Sequence, residues 1–348
     1  MSSVKAARSA VAAPVSGLVP VGSRAWAARA RGAYLDWDWF FVVVASWLLP
    51  LLGFNVWAAT YLHSELFWIL PIVSLLPRFF HETHPGSRRR RAFFTTVGII
   101  LASGSLLDLA FGRWILTFGP GPYWAVWAGI PVEEFIFYLL GPIAMLLVYF
   151  WAAEHFLGLL NPQAQRLGLD ASGLGRFSPG LAAQALALLL AGVALKAWLG
   201  APGPWLPLYY CFLVLTAYLP LILFWKAVRP LVHWPALTLT VLYTLVTSIL
   251  WEPSLALPLR WWGYQPGAML GLWVGAWRQA GGIDLPVEAV SVWLVAPFAC
   301  VFFFEVIKAL HYHPARGLGA KLWGGPPAAP PTQPRRARRS ARRAPTGA

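Results

Sequence analysis

Residues 132–156 read VEEFIFYLLGPIAMLLVYFWAAEHF, and the fold follows from that stretch. Two adjacent acids open it, and no further charged side chain follows until Glu154. A helix that crosses a bilayer needs roughly 17–25 mostly apolar residues, so this run is long enough to span. Further apolar runs flank it: 40–62, 66–80 and 92–111 before it, and 181–199, 206–225, 235–251 and 287–310 after it. The runs 66–80 and 235–251 are short for spans, and the charge pattern requires them. The whole chain carries 58% hydrophobic and 11% charged residues, with a mean hydropathy of +0.60. Soluble domains carry about 25% charged residues. So few charges cannot coat the surface of 348 residues of soluble domain. The sequence therefore predicts an all-α polytopic membrane bundle of about eight spans.

A net charge of +14 invites a nucleic-acid reading, but its distribution excludes one. Lys5, Arg8, Arg24, Arg29 and Arg31 precede the first run, and Arg88, Arg89, Arg90 and Arg91 follow the second. Arg166 and Arg176 follow the fourth, Lys226 and Arg229 the sixth. Lys308, Arg316, Lys321 and the arginine cluster at 335–343 close the chain. The alternate loops hold only Arg113, Arg260 and Arg278. With about eight spans and both termini cytosolic, every basic cluster falls on one side, as the positive-inside rule requires. The same clusters suit anionic lipid headgroups. Cys211 and Cys300 lie inside apolar runs, so no disulfide framework is expected. The domain reading is a basic N-terminal tail (1–35), a first membrane repeat (36–160), a cytosolic linker (161–178), a second membrane repeat (179–312) and a Pro/Arg-rich tail (313–348). Both tails read as disordered.

The repeat rests on two matching stretches. WILTFGPGP at 114–122 precedes GIPVEE at 129–134, and WGYQPG at 262–267 precedes IDLPVEA at 283–289. In each half the preceding run ends in a carboxylate, Asp108 or Glu252. Four spans per half make the repeats parallel, related by an axis along the membrane normal. Chance is the competing explanation, because PVE is short and the chain holds 21 Trp.

Acids are scarce, so their placement is informative. Asp108, Glu133, Glu134, Glu252, Asp284 and Glu288 fall at the extracytoplasmic ends of runs, joined by Glu65, while Glu154 and Glu305 lie near the opposite ends. Glu133, Glu134 and Glu288 occupy first turns, where the helix dipole favours negative charge in any helix. Adjacent acids project about 100° apart, so one of Glu133 and Glu134 faces a given pocket. Asp108 and Glu252 sit at helix C-termini in apolar surroundings, which favours the neutral acid. Acids kept charged beside acids kept neutral are what acid and base roles need. Acids from both halves, Glu133, Glu134 and Glu288 among them, are expected to converge on one dry pocket.

Aromatic residues cluster in the same loops: Trp114, Phe118, Tyr123, Trp124 and Trp127 in one, Trp261, Trp262, Tyr264, Trp273 and Trp277 in the other. An interfacial belt explains such rings; rings facing a carbocation are the functional alternative. His81 and His84 beside Glu82 adjoin four arginines, which repel a metal, so a solvated loop is expected and no metal site. No phosphate loop, Cys pair or HExxH is present in the sequence.

DLAFGRW at 108–114 followed by GIPVEEFIF at 129–137 resembles the repeat of the CarR-type lycopene cyclases. In bacteria these are two small membrane subunits, and in fungi a fused membrane domain joined to phytoene synthase. The resemblance covers roughly residues 34–311. The second half departs from it at Ala289, where the paired acid is missing. The resemblance implies a redox-neutral carotenoid end-group cyclase of the inner (plasma) membrane, with an acyclic carotenoid such as lycopene as substrate and other carotenoid-pathway enzymes as further partners. No cofactor is implied. It makes Glu133 and Glu134 the essential acidic pair, with Asp108, Glu252 and Glu288 supplying the proton or stabilising the cation. Trp114, Phe118, Phe137, Trp262, Tyr264 and Trp293 would contact the substrate. A hydratase of similar fold, or a non-catalytic carrier or transporter, are the alternatives. A transporter is expected to place polar residues at mid-membrane depth in broken helices. Pro50, Pro71, Pro142, Pro220 and Pro297 interrupt runs here, but ionisable residues near the middle are few.

Overall fold

The structure, a computed structural model, describes residues 37, 40–48, 60–83, 86–119, 123–156, 179–274 and 285–312. The expected tails, the linker 161–178, His84, Trp277 and Asp284 lie outside the described residues.

Helices dominate. Helix α1 (Tyr61–Val73) and α2 (Leu76–Glu82) fill the second apolar run, α3 (Arg88–Leu107) the third and α4 (Val132–Trp151) the fourth. In the second half come α5 (Pro179–Leu199), α6 (Leu208–Leu213), α7 (Leu219–Val228), α8 (Trp234–Trp251) and α9 (Val287–Tyr312). Five stretches are long and apolar enough to cross a membrane: Arg88–Ile115, Val132–Glu154, Leu208–Trp225, Trp234–Trp251 and Val287–Lys308.

The other three expected runs differ in kind. The first is described over Phe40–Leu48, which winds with the wider π pitch, and at 60–62, where α1 begins. The second does not form one straight span: Ser74 and Leu75 break it into α1 and α2. Pro71 and Pro77 account for the break, since each ring removes a backbone N–H and crowds the preceding turn. Ser74 Oγ donates to the Pro71 carbonyl in the turn. The fifth run is a shorter apolar helix, Ala183–Leu199. The sixth passes from α6 to α7 through a π turn, Val214–Tyr218, two residues before Pro220.

Side-chain caps fix several helix starts. Thr60 Oγ1 accepts from His63 N at 3.2 Å, and Ser87 Oγ accepts from Arg90 N at 3.2 Å. His233 Nδ1 accepts from Ala236 N at 3.3 Å. Each occupies an otherwise orphaned first-turn N–H. Between the helices, α9 packs against α3 and α8, while α4 packs against α1 and α3. In lipid no hydrophobic force drives helices together, so close approach at small residues matters. Gly104 of α3 is such a point: a Cβ there would lie 2.3 Å from Tyr138 Cδ1 on α4. Toward the opposite end the Phe79 ring lies 4.7 Å from Phe93 and 5.3 Å from Phe150. Arg89 lies 4.3 Å above Phe150 and pairs with Glu154 at 2.6 Å.

Short strands organise the other end. β1 (Leu116–Thr117) pairs antiparallel with β4 (Gly263–Tyr264), Leu116 opposite Tyr264, and ties the two halves together. β2 (Val126–Trp127) and β3 (Ile130–Pro131) form a hairpin that feeds straight into α4. Its two-residue loop, Ala128–Gly129, has φ of 52° and 82°, the all-positive pattern of a type I′ turn. β5 (Trp273–Val274) and β6 (Leu285–Pro286) feed into α9 in the same way, with Trp273 opposite Pro286 as Val126 is opposite Pro131. Asp108 and Glu252 each open a π turn, Asp108–Gly112 and Glu252–Ala256, directly beyond α3 and α8.

Candidate functional site

A cavity of about 260 Å³ lies among α3, α4, α6, α9 and the end of α8. Its polar lining includes the carboxyls of Asp108, Glu134 and Glu252 and the phenols of Tyr61, Tyr138 and Tyr209. Phe137, Trp251, Trp262, Tyr264 and Trp293 supply aromatic wall, and Cys300 and Phe303 line it further along α9. Each acid reaches it by a distinct route. Glu134 lies in the first turn of α4, aimed by the hairpin before it. Asp108 and Glu252 come from the wide turns that end α3 and α8.

The three carboxyls are held differently. Glu252 is 1% exposed, and three donors converge on it. Trp262 Nε1 donates to Oε1 at 3.1 Å, the Tyr264 hydroxyl donates to the same oxygen, and Trp293 Nε1 donates to Oε2 at 2.9 Å. Three donors suit an ionised carboxylate, which corrects the neutral state expected of Glu252 from its place at a helix C-terminus. Glu134 Oε1 accepts from the Tyr61 hydroxyl at 3.1 Å. Asp108 is hydrogen-bonded to Tyr138, and its Oδ2 has no partner. A buried carboxyl with one donor on an apolar wall suits the protonated acid, because the charged form would be left undersolvated; for Glu134 this outweighs the helix dipole that its first-turn position led the sequence to favour. The cavity can therefore hold a proton donor and a proton acceptor within one largely apolar lining.

Among the residues singled out in the sequence, the cavity gathers Asp108, Glu134, Glu252, Phe137, Trp262, Tyr264 and Trp293. The expected convergence of Glu133, Glu134 and Glu288 is corrected. Glu133 is wholly buried but turns toward its own hairpin, where Oε1 accepts from Trp124 N at 2.5 Å. Glu288 does the same in the second half, accepting from Leu270 N at 2.5 Å. Neither lines the cavity. The cause is the 100° step between adjacent helical residues together with an unpaired loop N–H on the outer side. Trp114 is 66% exposed and outside the cavity, as are Trp124 and Trp127, a placement that fits an interfacial belt. Phe118 packs on the core without lining the cavity.

Outside the spans, Tyr123 fastens the loops. Its hydroxyl donates to Trp261 O at 2.5 Å, and burial, the first cause, pushes the phenol up to about 12, with the nearby carboxyl groups of Glu134 and Glu133 adding to it. It stays a neutral donor at any physiological pH.

Sequence reading missed the phenols and Lys196, and it placed Glu65 among the acids without giving it a role. Tyr138 had a signal, since it lies four residues beyond Glu134 and shares its helix face. Tyr61 had none, because the register of α1 against α4 is a tertiary fact. Glu65 is wholly buried, and neither carboxyl oxygen has a hydrogen-bond partner. Lys196 is 2% exposed inside α5, where a charge within an apolar run is a signal in itself. Its Nζ donates to Gly267 O and fastens α5 to the segment after β4. Among the described residues no three His, Cys, Asp or Glu side chains are grouped to hold a metal ion. Searches against protein-family models, curated proteins and solved structures find no match to this chain.

Proposed function

We propose that the chain is a carotenoid end-group cyclase that closes a ring on an acyclic carotenoid such as lycopene within the membrane. The observation that carries this reading is the apolar, ring-walled cavity with Asp108 and Glu134 as acids held by single donors and Glu252 as a carboxylate held by three. Glu134, backed by Asp108, protonates the terminal alkene. The neighbouring alkene attacks the tertiary carbocation, and a carbon–carbon bond closes the ring. Glu252 then takes a proton from the ring carbon beside the new cation, restoring a double bond. One proton enters and one leaves, so the step is an isomerisation that needs no redox cofactor. The faces of Phe137 and Trp293 stabilise the cation, and exclusion of water keeps it from being trapped as an alcohol. Glu133 acts as a positioning residue that fixes the hairpin and so aims Glu134.

The same reading includes two parallel four-span repeats, about eight spans in total, both termini cytosolic and residence in a bacterial inner membrane. Support for the duplication comes from the matching hairpins before α4 and α9, from the equivalent contacts of Glu133 and Glu288, and from the π turns opened by Asp108 and Glu252. The pairing of β1 with β4 adds to it, because equivalent segments meet across an axis between the halves.

Expression in cells that accumulate lycopene tests the proposal. Pigment analysis is expected to give a ring-bearing product with the wild type and none with Glu134→Gln or Glu252→Gln. A hydroxylated acyclic product would instead make it a hydratase. Unchanged lycopene beside well-inserted wild-type protein would leave the carrier reading.

A further inference from the structure

A second, smaller chamber of about 60 Å³ lies among α1, α4 and α8. Trp68, Ile72, Ala144, Val148 and Thr244 line it, and no carboxyl does. Two of its hydroxyl-bearing residues are already bonded within the protein: Tyr243 to Ser46 Oγ, and Thr247 Oγ1 by accepting from Trp47 Nε1 at 2.8 Å. The chamber is therefore largely apolar toward anything inside it.

Phe137, Met145, Trp251 and Trp293 line both this chamber and the acid cavity, so a single layer of side chains separates them. The Phe137 ring lies 6.2 Å from Trp251 and 5.6 Å from Trp293, against which it stands at 90°. Met145 is the adaptable member of the layer, with an unbranched side chain that fills whatever shape is left. Glu134 faces the acid cavity and Val148 the far chamber. Fourteen residues of α4 separate them, about 21 Å along the axis. Behind the layer, Gly141 of α4 lines the second chamber, and a Cβ there would meet Met145 Cε at 3.7 Å and Phe137 Cζ at 3.8 Å. These are ordinary contacts, so alanine fits, whereas a longer side chain must enter the chamber.

We propose that the second chamber admits the stretch of a chain-like apolar substrate next to the end group held at Asp108, Glu134 and Glu252, and that Gly141 determines whether a long chain can pass along α4. The identity of the chain as an acyclic polyene rests on the cyclase reading. The chamber and the role of Gly141 are read out by binding and need no turnover. The three-ring layer separates the reacting end from the tail, and rotation of Phe137 opens the passage. Selection then works by length, since a short chain is satisfied by the acid cavity alone.

The test uses full-length protein purified from membranes loaded with equal amounts of lycopene and an acyclic polyene of half its length. The two retained pigments are quantified by chromatography for the wild type, Gly141→Ala, Gly141→Leu and, one turn further along the same wall, Ala144→Leu. The wild type and Gly141→Ala are expected to retain the long chain preferentially. The leucine variants are expected to lower the long-to-short ratio about ten-fold, with retention of the short chain unchanged. An unchanged ratio in leucine variants that keep the wild-type melting temperature would overturn the proposal, as would equal loss of both chains. If no ring is ever formed but the ratio still shifts, the cyclase reading fails and the length-selecting chamber stands.

Discussion

Glu133 and Glu134 differ in what they touch, although in sequence they are adjacent and identical. Glu134 faces the cavity and accepts from Tyr61, while Glu133 closes the loop at Trp124. Two variants separate the roles. Glu134→Gln is expected to cost 10²–10⁴-fold in turnover, the usual worth of a positioned proton donor. Glu133→Gln is expected to lower stability by about 1–3 kcal/mol, since a charge-assisted bond is weakened, and to affect the chemistry less. Melting temperature and pigment turnover measured on the same preparations distinguish them. Glu252 is a further case: Trp293→Phe removes one of its donors without removing the ring, so turnover is expected to fall by about ten-fold while Glu252→Gln abolishes it. The sequence narrowed the acids to a handful. It did not distinguish a carboxyl that lines a cavity from one that caps a loop, because that choice depends on where an unpaired N–H comes to rest.

At the level of elements, the apolar runs at 92–111, 132–156, 206–225, 235–251 and 287–310 were legible as helices because length and apolarity suffice. The break between α1 and α2 was less so, since Pro71 and Pro77 announce an interruption without fixing its position. The hairpins were not foreseen, being two-residue strands with no room for an alternating pattern. Close packing of α3 on α4 depends on Gly104, so Gly104→Ala is expected to push Tyr138 away from Asp108 and to cost about 1–3 kcal/mol. Thermal unfolding in detergent measures the cost, and a drop in turnover at a temperature well below melting reports the displaced phenol. In the hairpin before α4, Ala128 carries a left-handed conformation that costs an ordinary L-residue about 1–2 kcal/mol. Ala128→Asn is expected to raise the melting temperature for that reason.

Over the whole molecule, the ion pair Arg89–Glu154 marks one end of the bundle and the cavity acids the other. Glu134 and Glu154 are twenty residues apart along one continuous helical path, about 30 Å, the thickness of a bilayer's hydrocarbon core. Trp114, Trp124, Trp127 and Trp205 are all more than half exposed; the first three adjoin the loop segments at the acid end. With both native cysteines buried, added ones report sidedness cleanly. An impermeant maleimide is expected to label Trp205→Cys in intact cells and Arg91→Cys only after the membrane is opened. This expected orientation comes from the charge pattern of the sequence, whereas the joining of the halves through β1 and β4 could not be read there, because a pair between segments so far apart leaves no local trace. The cavity depends on that junction, since Asp108 and Glu134 come from one half and Glu252 from the other.

Protonation by a carboxyl that exchanges with solvent leaves a mark in the product. Membranes holding the protein and lycopene, equilibrated in D2O, are expected to yield carotenoid with one deuterium for each ring closed, read by mass spectrometry. A ring-bearing product of unchanged mass would contradict proton delivery from the Glu134–Asp108 wall.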